Sequence, residues 1–506
     1  MLSGNTLWKL INARVEATPD ALLVVDEDMR TMTFGEYAEE AERAAAGLAA
    51  HGVGEGTVVT WQLPTWIESM VLVAALSRLG AVQNPVLPIY REREVGFCTK
   101  QSGAELIVVP SVWKGFDYEE MATRITAANG RGRVLVADKA LPQGDPNTLA
   151  PLPADDDEPV RWLFYTSGTT SDPKGARHTD ASVAAVAAAM GQRLEVTAAD
   201  RSAVVFPFTH IGGITWLFCA LQYGHSLIMM ETFHPTETPE VLSRENVTLA
   251  GSGTPFHMAY LAAQKASPTP IFPHVRSFPG GGAPKPPQLV TDIRRIFNAP
   301  VMSGYGLTEA PILTMAAMTD TDEELARSEG KPMPGVEIKL VKTDGTVAGP
   351  GEDGEIRAKA PQLMKGYLDE SLNADAFDEE GYFRTGDVGR FDEQGNVIIT
   401  GRLKDIIIRK GENISAKELE DMLFTHPKVA DVAVIGLPDA ASGERACAVV
   451  QTAEDHEDIG FDELVEFMLA EGLMKQKLPE QLEIVDVIPR NASGKILKQD
   501  LQARYR

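Results

Sequence analysis

The chain has 506 residues, a formal net charge of −25, 44% hydrophobic and 24% charged residues. These are the proportions of a folded globular protein, and the length exceeds one core of ordinary size, so two or more domains are expected. So acidic a surface repels nucleic acid and anionic lipid, and three scattered cysteines (Cys98, Cys219, Cys447) without a CxxC pair argue against a disulfide framework or a structural zinc site.

Residues 1–20 lack the uninterrupted apolar stretch of a secretory signal. Thr33-Phe34-Gly35-Glu36 is a capping-box pattern, an alanine-rich amphipathic stretch follows, and Gly52 stops the predicted helix. Val58 to Leu63 reads as a strand, Ile67 to Leu79 as a helix, and Ala81 to Asn84, Leu106 to Val109 and Val134 to Val136 as further strands. This alternation predicts a parallel sheet with helices on both faces. Asp155 to Glu158 reads as a short acidic linker leading into a strand at Val160 to Tyr165. Thr209 to Met230 is long enough to cross a bilayer and carries no Asp, Glu, Lys or Arg. Gly212, Gly213 and Gly224 interrupt it, so a buried helix (Ile214 to Tyr223) and a buried strand (Ser226 to Met230) are expected instead. From Gly335 to Gly366, short strands and turns predict a smaller β-rich subdomain. After Gly401-Arg402 the pattern resets. Strands at Val429 to Ile435, Ala446 to Gln451 and Leu482 to Val487, with helices at Ala416 to Phe424 and Phe461 to Glu471, fit a small α+β domain. The expected fold class is therefore α/β: a large N-terminal domain of parallel α/β subdomains plus a small β-rich subdomain, then a small mobile α+β C-terminal domain.

The strand ending at Tyr165 runs straight into Thr166-Ser167-Gly168-Thr169-Thr170-Ser171-Asp172-Pro173-Lys174-Gly175. Small residues let backbone N–H groups crowd an anion, the hydroxyls add donors, and Lys174 adds a cation. It is not a Walker A loop, because no Ser or Thr follows the lysine. Further motifs are Gly281-Gly282-Ala283-Pro284, Gly304-Tyr305-Gly306-Leu307-Thr308-Glu309, Tyr382-Phe383-Arg384-Thr385-Gly386-Asp387, Gly401-Arg402-Leu403-Lys404-Asp405 and Pro489-Arg490-Asn491-Ala492-Ser493-Gly494-Lys495.

Together these six motifs resemble, in order and spacing and over essentially the whole chain, the adenylate-forming superfamily. That group comprises acyl-CoA synthetases, peptide-synthetase adenylation domains and firefly luciferase, and the stand-alone acyl-CoA ligases are the nearest in pattern. The resemblance implies an ATP-dependent carboxylic acid–CoA ligase that uses Mg2+ and passes through an acyl-adenylate. It implies an adenylation domain at 1–402, with ATP and acyl sites, and a mobile domain at 403–506. Thr166, Ser167, Gly168, Thr169, Thr170 and Lys174 would hold the phosphates, and Gly281, Gly282, Ala283 and Pro284 the adenine wall. Gly304, Tyr305, Gly306, Leu307 and Thr308 would complete the nucleotide site, with adenine stacked on Tyr305. Glu309 would hold the metal, since phosphate-bound Mg2+ usually takes one or two carboxylates. Asp387 would accept from the ribose hydroxyls and Arg402 would support ribose and phosphate. Lys495 would stabilise the charge of the transition state. Thr169 and His210 complete the candidate catalytic set. Lys404 matches the hinge, and Lys410 and Gly411 the passage for the pantetheine arm.

The segment Phe206 to Gly213 resembles the element closing one side of the acyl pocket. Peptide-synthetase domains place an Asp there for the substrate ammonium, whereas this chain has Pro207-Phe208-Thr209. Hydroxybenzoate ligases tend to place an Asn where Val205 stands. The remaining candidate lining, Phe208, His210, Ile211, Gly212, Trp216 and Pro311, is largely apolar and suits a fatty, alicyclic or simple aromatic acid. His210 reads equally as a gate or a structural histidine. The chain carries no carrier or condensation domain within its length, which favours free CoA; a separate carrier protein is the alternative acceptor, and a non-catalytic nucleotide-binding homologue ranks below both. Expected partners are the acid, ATP and CoA, with neither nucleic acid nor a membrane span. A homodimer is common in the resembling family, and a cytoplasmic location fits the composition.

Overall fold

The computed structural model describes the chain apart from residues 5, 153–157, 167–172, 282–284, 410–411, 440–441, 455 and 491–494, and apart from the side chains of 412–413. A six-stranded sheet is the first layer, in the order Lys174–Thr179, Val160–Thr166, Val82–Pro85, Val58–Trp61, Leu106–Val109, Arg133–Val136. All its neighbours run parallel except the Lys174–Thr179 strand. Its helices grow from the predicted signals. At the start of the Phe34–Ala50 helix, Glu36 N–H donates to Thr33 Oγ1 at 3.2 Å and Thr33 N–H to the Glu36 carboxylate at 2.8 Å. Phe34, Tyr37, Ala41, Ala44, Ala45 and Leu48 recur at helical spacing and are buried. Each large apolar side chain so buried contributes about 1.5–3 kcal/mol before chain entropy is offset.

Two further sheets stand beside the first. One has the order Arg201–Val204, Ser226–Met229, Leu22–Asp26, Thr31–Thr33. The other runs Phe278–Gly281, Val301–Tyr305, Thr314–Met315, Lys331–Pro332. Single bridges from Ser202 to Leu249 and from Leu249 to Ser277 connect the two. The apolar stretch after Thr209 folds as a helix, Ile211–Tyr223, and a strand, Ser226–Met229. The helix starts three residues earlier than its pattern predicts, because the His210 ring accepts from Gly212 N–H at 3.0 Å and caps it. Among the described residues no helix is long and apolar enough to cross a membrane.

Two of the glycine-rich motifs begin at the ends of strands, Phe278–Gly281 and Val301–Tyr305. Gly281 pairs with Gly304 across parallel strands, and a Cβ on Gly281 would lie 2.4 Å from the Gly304 carbonyl oxygen, so only glycine fits. Beyond Tyr165, Lys174 pairs with Thr166 in antiparallel register, so Val160–Thr166 and Lys174–Thr179 lie side by side in the sheet.

An antiparallel sheet of Glu337–Val341, Gly354–Lys359, Phe383–Phe391 and Val397–Arg402 forms the β-rich subdomain. A smaller C-terminal domain follows. In its sheet, Val432 and Val434 face one core and Ala433, Ile435 and Leu437 another, so the period-two alternation of a strand buries both faces. The Ala416–Leu423 and Phe461–Ala470 helices cover the first face and the Lys498–Tyr505 helix the second. The single-turn segment Leu403–Asp405 is the covalent link between this sheet and the β-rich subdomain.

Candidate active site

A cavity of about 340 Å³ lies where the two domains meet. Its large-domain wall includes Gly304, Tyr305, Glu329, Asp387 and Arg402, and its small-domain wall Lys417, Lys495 and Lys498.

The large-domain wall is a cross-linked set. Asp387 and Arg402 face each other across the Phe383–Phe391 and Val397–Arg402 strands. The chain gains extra residues between Arg384 and Val388 relative to the neighbouring strand, a bulge of the kind that re-aims a side chain. Thr385 anchors it by donating its hydroxyl to the Ile356 carbonyl at 2.7 Å and accepting from Asp387 N–H at 3.1 Å. Asp387 thus points inward, 3% exposed, accepting from the Tyr305 hydroxyl at 2.7 Å and pairing with Arg402 Nε at 2.6 Å. Burial, then the Asp387 charge, pushes the Tyr305 phenol well above its ordinary value, so it remains a donor.

Glu309 is 8% exposed and accepts from the Tyr367 hydroxyl at 2.7 Å. The Lys174 ammonium sits 5.4 Å from the centre of the Tyr367 ring. Next to Glu309, the Thr308 carbonyl lies 2.8 Å from the His178 ring, whose other nitrogen lies 3.1 Å from Ser182 Oγ. Burial lowers His178 to about 4, so the ring is neutral at pH 7. The strand carrying Lys174 and the turn carrying Glu309 are thereby joined through Tyr367 and His178.

Lys495 closes the site from the small domain. Its side chain keeps contact with solvent at the cavity mouth, yet the surrounding walls lower its pKa, first by withdrawing water and then through the Arg402 charge. Asp387 and Glu309 act on it in the opposite sense. The His210 ring keeps contact with solvent, yet the walls around it and then the Lys495 charge lower its pKa. Five expected site residues (Glu309, Asp387, Arg402, His210 and Lys495) therefore lie within electrostatic reach of one cavity. Lys404 lines it too, in the Leu403–Asp405 turn. Phe208, Ile211, Trp216 and Pro311 are buried in the large domain, Phe208 against Trp61 and Trp216 against His225. Gly212 lies in the first turn of the Ile211–Tyr223 helix. Ser167, Gly168, Thr169, Thr170, Gly282, Ala283, Pro284, Lys410 and Gly411 lie outside the described residues.

The residues present fit a phosphate-bound Mg2+. Glu309 offers one buried carboxylate, and no cluster of three or more Asp, Glu, His or Cys occurs among the described residues, so substrate phosphates would supply the remaining ligands. Sequence reasoning missed Tyr367, His178, Lys285 and Glu329. None belongs to a recognisable motif, and only Gly366, at φ +98° beside Tyr367, hinted at a built turn.

A two-domain α/β fold with a nucleotide-sized cavity, a buried carboxylate held by an arginine at the cavity wall and a lysine arriving from the small domain fits the adenylate-forming class of enzymes. Comparison with known proteins agrees. The family described as AMP-binding enzyme matches residues 11–368, and AMP-binding enzyme C-terminal domain matches residues 418–495. The chain is 31% identical to a medium-chain fatty-acid–CoA ligase of Escherichia coli K12, over 96% of this chain and 89% of that one. It is also 31% identical to a salicyl-AMP ligase/salicyl-S-ArCP synthetase of Mycobacterium tuberculosis, over 98% and 90%. Among solved structures, the o-succinylbenzoate CoA synthetase of Bacillus subtilis bound to its acyl-adenylate superposes with a TM-score of 0.85 at 29% identity, covering 99% of each chain. The same enzyme with ATP and magnesium gives 0.83 at 28%, over 97% of this chain and 98% of that one. This chain belongs to the AMP-binding enzyme family and is an AMP-forming acid–thiol ligase, as its motifs imply.

Proposed function

We propose that the chain is an ATP-dependent carboxylic acid–CoA ligase acting on an apolar acid, fatty, alicyclic or simple aromatic. Residues 1–402 form the adenylation domain and 403–506 the mobile domain. The observation that carries this reading is the placement of Lys495 from one domain beside Arg402, Asp387 and Glu309 of the other.

In the first step, a carboxylate oxygen bonds to the α-phosphorus of ATP, the bond from that phosphorus to the bridging oxygen breaks, and diphosphate leaves. Two anions must meet, so neutralisation and alignment dominate the barrier. Asp387 accepts from the ribose hydroxyls, and Arg402 holds that carboxylate in place. Tyr305 presents its ring to the base. Glu309 would hold Mg2+, which supplies charge neutralisation at the phosphates. Lys495 stabilises the negative charge that develops on the α-phosphate and the attacking carboxylate, an electrostatic role. In the second step, a thiol sulfur bonds to the acyl carbon, the acyl–phosphate C–O bond breaks, and AMP leaves. Rotation about Lys404 would withdraw Lys495 and bring Lys410 and Gly411 to the cavity. Phe208, Ile211, Gly212, Trp216 and Pro311 line the acyl side, with His210 at its mouth. The three buried free thiols fit a reducing, cytoplasmic setting.

The test is a mass-spectrometric screen of the protein with Mg-ATP, CoA and a panel of fatty, cyclohexane, benzoic and amino acids. A CoA thioester with matching AMP is the expected product. Adenylate without thioester would move the acceptor to a carrier protein, the reading that the similarity to the salicyl-S-ArCP synthetase favours. No product with any acid would overturn the ligase assignment for these substrate classes.

A further inference from the structure

Behind the strand that ends at Tyr305 lies a lysine that the mechanism above does not use. Lys285 has a side chain only 6% exposed. Its ammonium donates to Ser303 Oγ and to the Ser328 carbonyl, and it lies 3.4 Å from Glu329 Oε1. Burying a lysine withdraws it from water at considerable cost, and burial lowers its pKa while Glu329 opposes the shift. The lysine sits on one side of a carboxylate whose other side opens to the cavity.

Glu329 is fixed from every direction but that one. Its N–H donates to the Val397 carbonyl at 2.8 Å, its carbonyl accepts from Thr314 Oγ1 at 2.7 Å, and Lys285 holds Oε1. Its second carboxylate oxygen has no hydrogen-bond partner among the described residues. Asp387 meets Tyr305 at one end of the Ser303–Tyr305 segment, while Lys285 meets Ser303 at the other and holds Glu329 there. A base lying against Tyr305, with its ribose at Asp387, would turn its far edge toward Glu329.

We propose that Glu329 reads the purine at its 6-position, accepting a hydrogen bond from the amino group of adenine, and that Lys285 positions its carboxylate. This rests on the cavity being the ATP site. A carboxylate accepts and does not donate, so it matches a 6-amino group and repels a 6-oxo group. Glu329 is thus a specificity-determining residue and Lys285 a positioning residue.

The test uses the full chain and two ligands differing at that edge, Mg-ATP and Mg-ITP, with dissociation constants from titration calorimetry and melting curves alongside. Wild-type protein is expected to prefer ATP by about tenfold or more, the discrimination of one charged hydrogen bond. Glu329→Gln should bring the ratio near one, loosening ATP and tightening ITP, because the carboxamide can donate to the 6-oxo group. Lys285→Met should shrink the ratio and Lys285→Arg restore it. A Glu329→Gln protein that keeps the wild-type ratio, even with a lower melting temperature, would leave the pair a structural strut and overturn the proposal. Wild-type protein that binds both nucleotides equally would overturn it too. Wild-type protein that binds neither would overturn the nucleotide-site reading and the proposal together.

Discussion

The two walls of the cavity are built on opposite principles. On the large-domain side, Tyr305, Asp387 and Arg402 are locked by direct contacts, as are Glu309 and Tyr367 behind them, and Asp387 and Glu309 are each under 10% exposed. On the small-domain side stand the long cations Lys417, Lys495 and Lys498 together with Glu420, and the ion pairs there, Lys498 with Glu420 at 2.6 Å and Lys417 with Asp421, stay within that domain. A fixed wall keeps nucleotide geometry unchanged through two reactions. The small-domain cations would neutralise phosphate during the first and, on the proposed rotation, leave with their domain for the second. The comparison predicts that substitutions on the fixed wall act on nucleotide binding, whereas those on the mobile wall act on one half-reaction only.

The largest effect belongs to Lys495. Lys495→Ala should slow adenylate formation by about 10²–10³-fold, the range for removing one transition-state donor. Thiol transfer from a supplied acyl-adenylate should stay near wild type. Equal loss in both half-reactions would erase the distinction between the walls. Asp387→Ala comes next. It strips Tyr305 and Arg402 of their common acceptor and leaves the partly exposed guanidinium unanchored, so kcat/KM for ATP should fall by about 30–100-fold, with little change in KM for the acid. Lys404→Pro addresses the link between the walls. Fixing φ in the Leu403–Asp405 turn should cut overall turnover by about tenfold or more while adenylate formation persists. Unchanged overall turnover would sink the hinge.

The fixed wall was also the more legible in sequence, though only in part. Asp387, Arg402, Glu309 and Tyr305 sit in short motifs that carry the resemblance to the adenylate-forming superfamily, and it was that resemblance that pointed to them. Tyr367, Lys285 and Glu329 complete the same wall through contacts between residues distant in sequence, and no local pattern carries such a contact. The fold divides similarly. Helices with caps, as at Thr33, and short β-branched strands, as at Leu106–Val109, were readable from periodicity. The antiparallel pairing of Lys174 with Thr166 was not, because a glycine-rich loop after a strand is compatible with either a helix or an antiparallel return.

Tyr367→Phe sharpens the comparison from within the fixed wall. It removes one hydroxyl that orients Glu309 and leaves the ring against Lys174. A hydrogen bond to a charged group contributes about 1.5–3 kcal/mol, and partial replacement by water should leave roughly a five- to tenfold rise in the Mg2+ concentration needed for half-maximal adenylation. Melting temperature should move little. A fall in kcat at saturating Mg2+ with no change in that concentration would separate Tyr367 from the metal ligand.

The smallest effect is one of pH, and it too contrasts the two domains. His178, His225 and His257 of the large domain are each no more than 2% exposed, and burial lowers them to about 4, 3 and 4. Unfolded, each would titrate near 6.5. Because the folded values are depressed, the unfolded chain binds more protons below pH 6.5. The stability these neutral rings confer is therefore complete above that pH and is lost progressively as pH falls toward 4. In the small domain only His426 is comparably buried, facing Phe467, Glu463 and Lys428, and Glu463 opposes the lowering caused by burial. Hydrogen exchange on the full chain at pH 7 and pH 5.5, corrected for the intrinsic rate, should show protection falling first in the Asp180–Arg193, Ile211–Tyr223 and Thr254–Ala266 helices. His178→Gln keeps a donor for the Thr308 carbonyl without a titrating ring, and should remove part of the acid loss near Glu309. Acid loss beginning instead in the Phe461–Ala470 helix would show that the small domain, not the fixed wall, sets the acid limit of the enzyme.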